Sequence, residues 1–547
     1  MKNLFFFVLV ALTSLTVSAV DFKQEFDVAK CGPWTELRAP GPIRIYGSNE
    51  GQVSFVIINE ENDTPLEVYL DGVTIKEDID SPIFSVAENS GEVVFRSYSS
   101  DSSISNDRAD TSVNTPIIAI NTTSTVTFKG DGESKLTLTR SNGSGQVISN
   151  GETFNNMNLV FTTGANIEAY GGSYTGAIST RPYGAEDHPE HDIISTITIE
   201  DGRVLAFSGY KSGDAAIGCG QRFEIGVVGQ EAHVVINGGT VIAKGGALPI
   251  EDSHGDAYAC HAAAIGGGVN GDGSVVINGG TVNASIVNPK GGEPSDIDAP
   301  AIGYCQRGNG SVTINGGTVT VLNEGSGAGI GKDGFYDAYP GQTEIYINGG
   351  IVNVSAEGGE AIGGSKQSVD HVVEKLEING GTVNIGKKSQ GIGQINKISI
   401  TGGTITAPYI RSIGGSTSVT SGSIFITDDN DPVFTYKDKE RSFACTLPDA
   451  MAPTTSSIFG VGEGEDVTFN TTKASESEFT YSYTGTGHED TYNLYFYLPD
   501  GSYTVSGSNG KTFNGTVNDG PAEFTLAPEP GIAALALIAL AALLRRK

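Results

Sequence analysis

The segment Ile236-Asn237-Gly238-Gly239-Thr240-Val241 decides the fold, because nearly the same hexapeptide recurs along the chain. Further copies begin at Ile277, Ile314, Ile347 and Ile378, and degenerate copies begin at Ile199 and Ile400. Apolar and polar residues alternate on both sides of each copy, which predicts strands with one buried face. The Asn-Gly-Gly between them predicts a sharp corner, because glycine readily adopts positive φ angles.

A second motif, Ala-Ile-Gly or a close variant, accompanies these repeats. Its isoleucines are Ile217, Ile265, Ile302, Ile330, Ile362, Ile392 and Ile413. It predicts one short strand per repeat with a single isoleucine pointing inward, so each repeat has three strands. Three strands per repeat predict an all-β chain built as a right-handed parallel β-helix with three-sided coils. The shortest repeat leaves room for one coil only, and the longer ones are then single coils with insertions such as 245–262 and 288–299.

Residues 53–180 have the same alternation without the strict hexapeptide. The segments Leu-Asp-Gly-Val-Thr-Ile at 70–75 and Gly-Asp-Gly-Glu-Ser-Lys-Leu-Thr-Leu at 130–138, together with the Gly-Gly-Thr-Val copies, resemble secreted bacterial β-helix proteins described as carbohydrate-binding. The resemblance covers roughly residues 50–420 and implies the fold and a carbohydrate ligand. We therefore place an N-terminal cap at 20–52 and the β-helix at 53–424.

From about residue 425 the repeats stop, and the chain becomes rich in Phe, Tyr and Thr. Residues 492–505 predict two strands joined by a Pro499-Asp500-Gly501 turn. We assign 425–526 to a small β-sandwich-like domain. This domain is expected to cap the last coil, whose strand edges would otherwise be unpaired.

The first 19 residues are typical of a secretory signal peptide. Lys2 supplies the positive charge, residues 4–15 are almost wholly apolar, and Val17-Ser18-Ala19 supplies the small residues of a cleavage site. An apolar run of this length is too short for a membrane-spanning helix, which needs about 20 residues. The sequence therefore predicts an exported protein.

The last residues, 527–547, combine Pro528-Glu529-Pro530, an apolar run at 531–544, and a basic end at Arg545-Arg546-Lys547. This order resembles the PEP-CTERM sorting signal of Gram-negative bacteria. The resemblance implies processing by an exosortase-type membrane enzyme, with the protein placed at the cell surface or released after transient anchoring in the inner membrane. The alternative is a plain C-terminal membrane anchor.

The chain has 64 acidic and 33 basic residues, a net charge of −31. This charge repels the phosphates of nucleic acids and the headgroups of anionic lipids. Nucleic-acid binding is therefore excluded, and membrane contact is expected only through the C-terminal tail.

Some parallel β-helix enzymes degrade acidic polysaccharides, so catalysis needs consideration. Pectate lyases need a basic residue beside calcium, and polygalacturonases need aspartates clustered on adjacent coils. The outward positions of the strict repeats are mostly Asn, Thr, Ser and Val, and neither signature is present in them. The sequence favours a non-catalytic protein.

Aromatic side chains on loops are the candidate ligand-binding residues, because a ring face packs against the apolar face of a sugar. Phe335, Tyr336 and Tyr339 lie in the insertion after Ile330, and Tyr304 lies one coil earlier. Packing of these rings against the coil is an equal alternative.

Clustered oxygen ligands give one candidate metal site. Asp428, Asp429 and Asp431 would suit calcium, although a simple turn is the favoured interpretation. The mixed carboxylate and histidine segments 186–192 and 251–261 are interpreted as solvated loops rather than metal sites. The repeated asparagines Asn237, Asn278, Asn315, Asn348 and Asn379 are interpreted as an internal hydrogen-bonded ladder at the corner, not as a binding row.

These observations predict a non-catalytic, exported surface or extracellular-matrix protein that binds extracellular polysaccharide. The first alternative is a polysaccharide lyase or glycoside hydrolase, and the second is a structural spacer or adhesin. Calcium is the one cofactor that the sequence suggests.

Overall fold

The fold was analysed on a computed structural model. It describes residues 20–526 except 39, 50–51, 62, 109–114, 142–144, 152–155, 173–174, 181–192, 210–211, 222–229, 247–261, 288–298, 306, 334–340, 366–371, 387–388, 414–416, 420–422, 427–432, 437–438, 443–444, 447–465, 474–475, 487–492, 498–500, 508–511 and 518–524.

The chain winds into a right-handed parallel β-helix, whose coils stack so that each strand pairs in parallel with its equivalent in the next coil. Strands are numbered in chain order. The first face contains β1 (Gln24–Asp27), β3 (Ile43–Asn49), β5 (Leu66–Glu77), β7 (Val93–Ser97), β10 (Thr125–Lys129), β13 (Asn158–Phe161), β16 (Ile193–Ile199), β19 (Gln230–Ile236), β22 (Asp272–Ile277), β25 (Gly310–Ile314), β28 (Thr343–Ile347), β31 (Val373–Ile378), β33 (Ile392–Ile400), β36 (Thr417–Val419) and β38 (Val433–Tyr436).

The second face begins with the ends of β3 and β5, which bend around the corner. It continues with β8 (Ser102–Asn106), β11 (Leu136–Arg140), β14 (Asn166–Tyr170), β17 (Arg203–Phe207), β20 (Thr240–Gly245), β23 (Thr281–Ile286), β26 (Thr318–Asn323), β29 (Ile351–Ala356), β32 (Thr382–Ile385), β34 (Thr404–Ala407) and β37 (Ser423–Ile426).

The third face has the shortest strands, and the start of β33 also belongs to it. Its other strands are β2 (Thr35–Leu37), β4 (Phe55–Ile57), β6 (Phe84–Val86), β9 (Ile118–Ile120), β12 (Ile148–Asn150), β15 (Ile178–Ser179), β18 (Ile217–Gly218), β21 (Ile265–Val269), β24 (Ile302–Cys305), β27 (Ile330–Asp333), β30 (Ile362–Gly363) and β35 (Ile410–Ser412). A 3-10 helix, Val28–Lys30, precedes β2. The three-sided coil that the two motifs predicted is confirmed.

The core is a set of columns in which one buried residue from each coil packs on its equivalent in the next. The isoleucine that opens each hexapeptide forms one such column, and every member is fully buried. The register continues this column upstream from Ile199 into Phe161, Phe128 and Phe95. The phenylalanine rings stack with centroids 5.1 and 5.3 Å apart. Upstream of Ile199, phenylalanine therefore takes the place of isoleucine in this column, and the Asn-Gly-Gly corner is absent from the same coils.

Glycine fixes two positions in each coil. The second glycine of the hexapeptide, or Gly202 in the copy at Ile199, turns the corner with φ between 73° and 88°, as predicted. The glycine of Ala-Ile-Gly has φ between 132° and 146° from Gly218 to Gly363. A side chain at any of these positions on the third face would overlap the carbonyl oxygen of the next glycine in the column.

Two details of the predicted coil are wrong. The last inward isoleucine of the third face is Ile410, which pairs with Ile392, whereas Ile413 is 52% exposed. The parallel ladders also begin at β1 and β2, so coils already form within the segment assigned to the N-terminal cap at 20–52. The early coils lack the hexapeptide, and the repeat therefore could not reveal them.

The C-terminal region contains β39 (Lys439–Ser442), β40 (Cys445–Thr446), β41 (Asp466–Lys473), β42 (Glu476–Thr486), β43 (Asn493–Tyr497), β44 (Gly501–Gly507), β45 (Thr512–Val517) and β46 (Thr525–Leu526). The two strands predicted within 492–505 are present as β43 and β44, and they join different sheets. β43 pairs antiparallel with β37 and covers its edge, whereas β44 lies in a five-stranded sheet of order β42-β41-β44-β45-β46. The sandwich-like packing stays a prediction.

Candidate functional site

A cleft of about 280 Å³ opens at the corner between the second and third faces, near the N-terminal end of the β-helix. Four successive coils build it, because the turns before β2, β4, β6 and β9 lie above one another. Its lining residues are Pro33, Trp34, Gln52, Val53, Ser54, Asp78, Ile79, Asp80, Ser81 and Arg108. The strands that flank the predicted insertions 245–262 and 288–299, β20 with β21 and β23 with β24, belong to the same two faces several coils later.

Trp34 is the only tryptophan of the chain, and it is 64% exposed at the edge of this cleft. Its φ angle is 70°, a left-handed conformation that is strained for a bulky residue. Such strain persists only where surrounding structure enforces it, and it is concentrated at functional sites. Hydrogen bonds hold the backbone after Trp34, since the Thr35 amide donates to Ser54 and the Thr35 hydroxyl donates to Gly32.

Arg108 connects the polar side of the cleft. Its Nε lies 2.8 Å from Asp80, and its Nη1 lies 3.6 Å from Asp78. Both carboxylates are more than half exposed, so the pairs stabilise the fold little. The arrangement instead presents two acceptors and a fixed guanidinium to solvent, with a net charge of −1. Such a cleft suits a neutral or cationic hydroxyl-bearing ligand.

Glu77 lies behind the wall of the cleft, 4% exposed, and is not among the described lining residues. Its Oε1 accepts a hydrogen bond of 2.9 Å from the amide of Val53, which does line the cleft. Burial raises the pKa of Glu77 to about 7. In the register of the second face, Asn106 separates Glu77 from Arg140, whose pKa burial lowers to about 10.

The raised pKa of Glu77 predicts a pH-dependent stability. The folded chain keeps this proton to about pH 7, whereas a glutamate ordinarily loses it near 4.5. The folded state therefore binds more protons in this interval, and stability falls as pH rises through it. Asp214, fully buried, contributes with the same sign because burial raises its pKa to about 6.

We expect Glu77→Gln to reduce the fall in thermal unfolding midpoint between about pH 5 and about pH 8. Glutamine retains an acceptor for the Val53 amide but does not titrate. The midpoints of wild type and variant, measured across this range, test the prediction. Identical pH profiles would contradict it, and Asp214→Asn serves as a second variant of the same sign.

Tyr304 is not available as a sugar platform, which corrects the sequence prediction. Its side chain is fully buried, and its ring fills the space left by the absent side chains of Gly267 and Gly310. Burial raises the pKa of its hydroxyl well above the usual value, and among the described residues that hydroxyl has no hydrogen-bond partner. The alternation of apolar and polar residues did not reveal this burial, because all four residues of β24 are buried, on both sides of the strand.

The remaining predicted site residues lie outside the described part of the chain. They are Phe335, Tyr336 and Tyr339 of the ligand site, Asp428, Asp429 and Asp431 of the calcium site, and Pro528, Glu529, Pro530, Arg545 and Arg546 of the sorting signal. These assignments stay predictions. Elsewhere, the described residues contain no group of three or more His, Cys, Asp or Glu side chains that would hold a metal ion.

A second aromatic group lies on the second face but is less suited to sugars than Trp34. Tyr170 and Phe207 stack with centroids 4.9 Å apart, and the Lys244 ammonium lies 5.3 Å from the centroid of Phe207. The faces of the two rings are therefore occupied by contacts with each other and with the Lys244 ammonium group. This packing indicates a structural role.

The repeated asparagines form the predicted ladder. Each Nδ2 donates to the Oδ1 of the preceding coil over 2.7 to 2.8 Å, through Asn278, Asn315, Asn348 and Asn379. Glu200 accepts from Asn237 at one end, and Thr401 donates to Asn379 at the other. The ladder is exposed rather than internal, and the positive φ belongs to the second glycine, not to the asparagine.

Beside this ladder the second face carries an uncharged surface, which we call the neutral strip. It consists of the outward, solvent-accessible residues of β23, β26, β29, β32 and β34, namely Thr281, Asn283, Ser285, Thr318, Thr320, Leu322, Ile351, Asn353, Ser355, Thr382, Asn384 and Thr404. The first face of the same coils carries Asp272, Glu344, Glu374, Lys375, Glu377 and Lys397. In these coils the strands of the first face therefore carry charged residues, whereas the outward residues of the second face do not.

Comparison with known proteins agrees with this architecture. A family model described as the beta helix repeat matches residues 197–221, 234–269 and 312–331. The chain is a parallel β-helix protein. No curated protein and no solved structure matches this β-helix protein significantly. Within the described ranges, no helix has the length and apolar character needed to cross a membrane.

The cleft residues Trp34, Asp78, Asp80 and Arg108 were not identified from the sequence. They come from separate turns and share no spacing pattern, since only the stacking of coils brings them together. The single signal available was the unique tryptophan beside Pro33 in a polar segment.

Proposed function

We propose that this β-helix protein is a non-catalytic glycan-binding protein of the cell surface or extracellular matrix, and that the cleft beside Trp34 binds a unit of a neutral sugar chain. The observation that carries the proposal is the exposed, strained indole at the edge of a polar cleft. An indole face packs against the apolar C–H face of a pyranose.

The charged lining residues of the cleft supply the complementary hydrogen bonds. Sugar hydroxyls both donate and accept, and here they meet the carboxylates of Asp78 and Asp80 and the guanidinium of Arg108. The volume of about 280 Å³ is near the lower end for ligand pockets, which suits one sugar unit of a longer chain. The chain's net charge of −31 disfavours acidic polysaccharides.

Cleavage of the glycan is the weaker candidate. Glycoside hydrolysis needs a carboxylic acid that faces the bond and keeps its proton, together with a second carboxylate. Asp78 and Asp80 are both engaged in ion pairs with Arg108. Glu77, the acid with the raised pKa, is not among the residues that line the cleft. The arrangement therefore supports binding without hydrolysis.

The proposed location rests on the two ends of the chain. The apolar N-terminal segment supports export, and the Pro-Glu-Pro tail supports surface sorting by an exosortase-type enzyme. Extracellular polysaccharide is then the partner, and the membrane is contacted only through the tail before processing.

Tryptophan fluorescence tests the proposal, because Trp34 is the sole tryptophan and reports on the cleft alone. We expect neutral tetrasaccharides of glucose, mannose or galactose to shift its emission saturably, and an oligouronide to have no effect. Trp34→Ala should weaken binding of the active tetrasaccharide at least tenfold by calorimetry, or about 1.4 kcal/mol.

Trp34→Phe is the matched control, because it keeps an aromatic face and should retain part of the affinity. The absence of any fluorescence response to the three neutral series would contradict the proposal. Equal calorimetric affinities of wild type and Trp34→Ala would contradict it as well.

A further inference from the structure

We propose that the neutral strip is a second binding surface, which takes a long, neutral, hydroxyl-rich polysaccharide lying parallel to the axis of the β-helix. This inference shares with the proposed function only the class of ligand. It uses other residues, on other coils, and does not depend on the cleft.

The charge distribution selects a neutral ligand. None of the outward residues of β23, β26, β29, β32 and β34 is charged, although the chain carries a net charge of −31. An anionic polymer would be repelled by the surrounding surface, and a cation would find no carboxylate on the strip. A neutral polymer has no net charge, so the negative charge of the surrounding surface does not repel it.

The side chains select a ligand rich in hydroxyl groups. Threonine hydroxyls and asparagine amides both donate and accept, as sugar hydroxyls do. In the middle column, Thr320, Asn353 and Asn384 follow one another in register. The Asn384 Nδ2 donates to the Asn353 Oδ1 over 3.0 Å, which fixes the orientation of both amides. The column is therefore ordered before any ligand arrives, and this lowers the entropic cost of binding.

The spacing selects a linear polymer. Neighbouring strands lie about 4.8 Å apart, so the five strands repeat the same groups over roughly 19 Å along the axis. Each hydrogen bond to a neutral ligand contributes only about 0.5–1.5 kcal/mol net. Because single contacts are weak, affinity must come from many contacts made together, and it should increase with the length of the glycan.

Two exposed aliphatic side chains support the same class of ligand. Ile351 is 46% exposed at one edge of the strip, and Leu322 is 37% exposed at the other edge, one coil away. Sugar rings present C–H groups as well as hydroxyls, and these aliphatic positions offer them apolar contact.

A second copy of the chain fits the strip less well. Its five strands and three outward columns span roughly 19 by 14 Å, or about 270 Å². A stable protein interface buries about 800 Å² on each partner. The strip is therefore too small for a dimer interface of its own, whereas a narrow polymer would cover it fully.

Cosedimentation of the full chain with phosphoric-acid-swollen cellulose tests the inference, in a Trp34→Ala background that removes the cleft's contribution. The strip variant carries Thr320→Lys and Asn384→Lys, and the matched control carries Ser311→Lys and Ser399→Lys on the first face. Both doubles add the same charge at outward positions. We expect at least a tenfold loss of affinity for the strip variant, no change for the control, and no sedimentation of either with calcium alginate beads.

Equal affinities of the two double variants would overturn the inference, and so would loss of all sedimentation on replacing Trp34 alone. If the strip variant has a lower unfolding midpoint than the control, Thr320→Val with Asn384→Leu removes the same groups without charge and should give the same loss. Cellotetraose should compete much more weakly than long soluble cellulose fragments, and equal competition would also count against the inference. If Trp34 fluorescence does not respond to any glycan but the protein still sediments with cellulose, the proposed sugar site in the cleft is wrong and the proposed site on the neutral strip stands.

Discussion

Gly303→Ala is expected to lower the stability of the β-helix by more than about 3 kcal/mol, seen as a large fall in the thermal unfolding midpoint. Gly303 has a φ of 143°, a conformation that alanine rarely adopts. The added methyl group would also overlap the carbonyl oxygen of Gly331 in the next coil. Both strands belong to a stack in which every coil supports its neighbours, so the third face cannot relax locally.

Gly32→Ala is the matched control. Its added methyl group would meet no atom within 4 Å, and its φ angle is not in the positive region. We expect a change within about 0.5 kcal/mol there. Circular dichroism melts of the two variants test the pair, and equal midpoints would show that the glycine column is not required for stacking.

Ile314→Asp is expected to unfold the central coils, with a cost of about 4 kcal/mol or more. Ile314 is fully buried and packs in register between Ile277 and Ile347. A carboxylate at this position would find only apolar neighbours in the core column. Because adjacent coils share one core, the loss should spread to both neighbours.

Thr313→Asp provides the control on the same strand, since Thr313 points outward and the burial pattern of β25 alternates there. We expect it to melt close to wild type, whereas Ile314→Val should cost only about 0.5–1.5 kcal/mol. A cooperative melt of Ile314→Asp at the wild-type temperature would contradict the assignment of the inward face.

The fold could be predicted from the sequence because its information is periodic. Alternation and the Asn-Gly-Gly corner repeat at every coil, so one correct coil determines the others. The prediction was less detailed in the coils of Phe161 and Phe128, where other residues replace the hexapeptide. It failed at Ile413 because a match to the Ala-Ile-Gly motif does not determine which residue pairs with the next coil. In the 493–505 segment the residue pattern predicted both strands but did not determine which sheet each strand joins.

The candidate site could not be predicted in the same way. Trp34, Asp80 and Arg108 lie in three different turns and meet only because the coils stack. Tyr304 was chosen for its residue type, yet the glycines at 267 and 310 leave an enclosed space that its ring fills. Composition identifies which side chains suit sugars, but exposure decides which of them reach the surface.

A glycan array probed in parallel with the wild-type chain and with Trp34→Ala tests the central claim most directly. We expect the wild type to be retained on neutral glycans and not on polyuronides, and Trp34→Ala to lose the short neutral glycans. Retention of both proteins on the same short glycans, or of neither on any neutral glycan, would contradict the claim that the Trp34 cleft binds sugar.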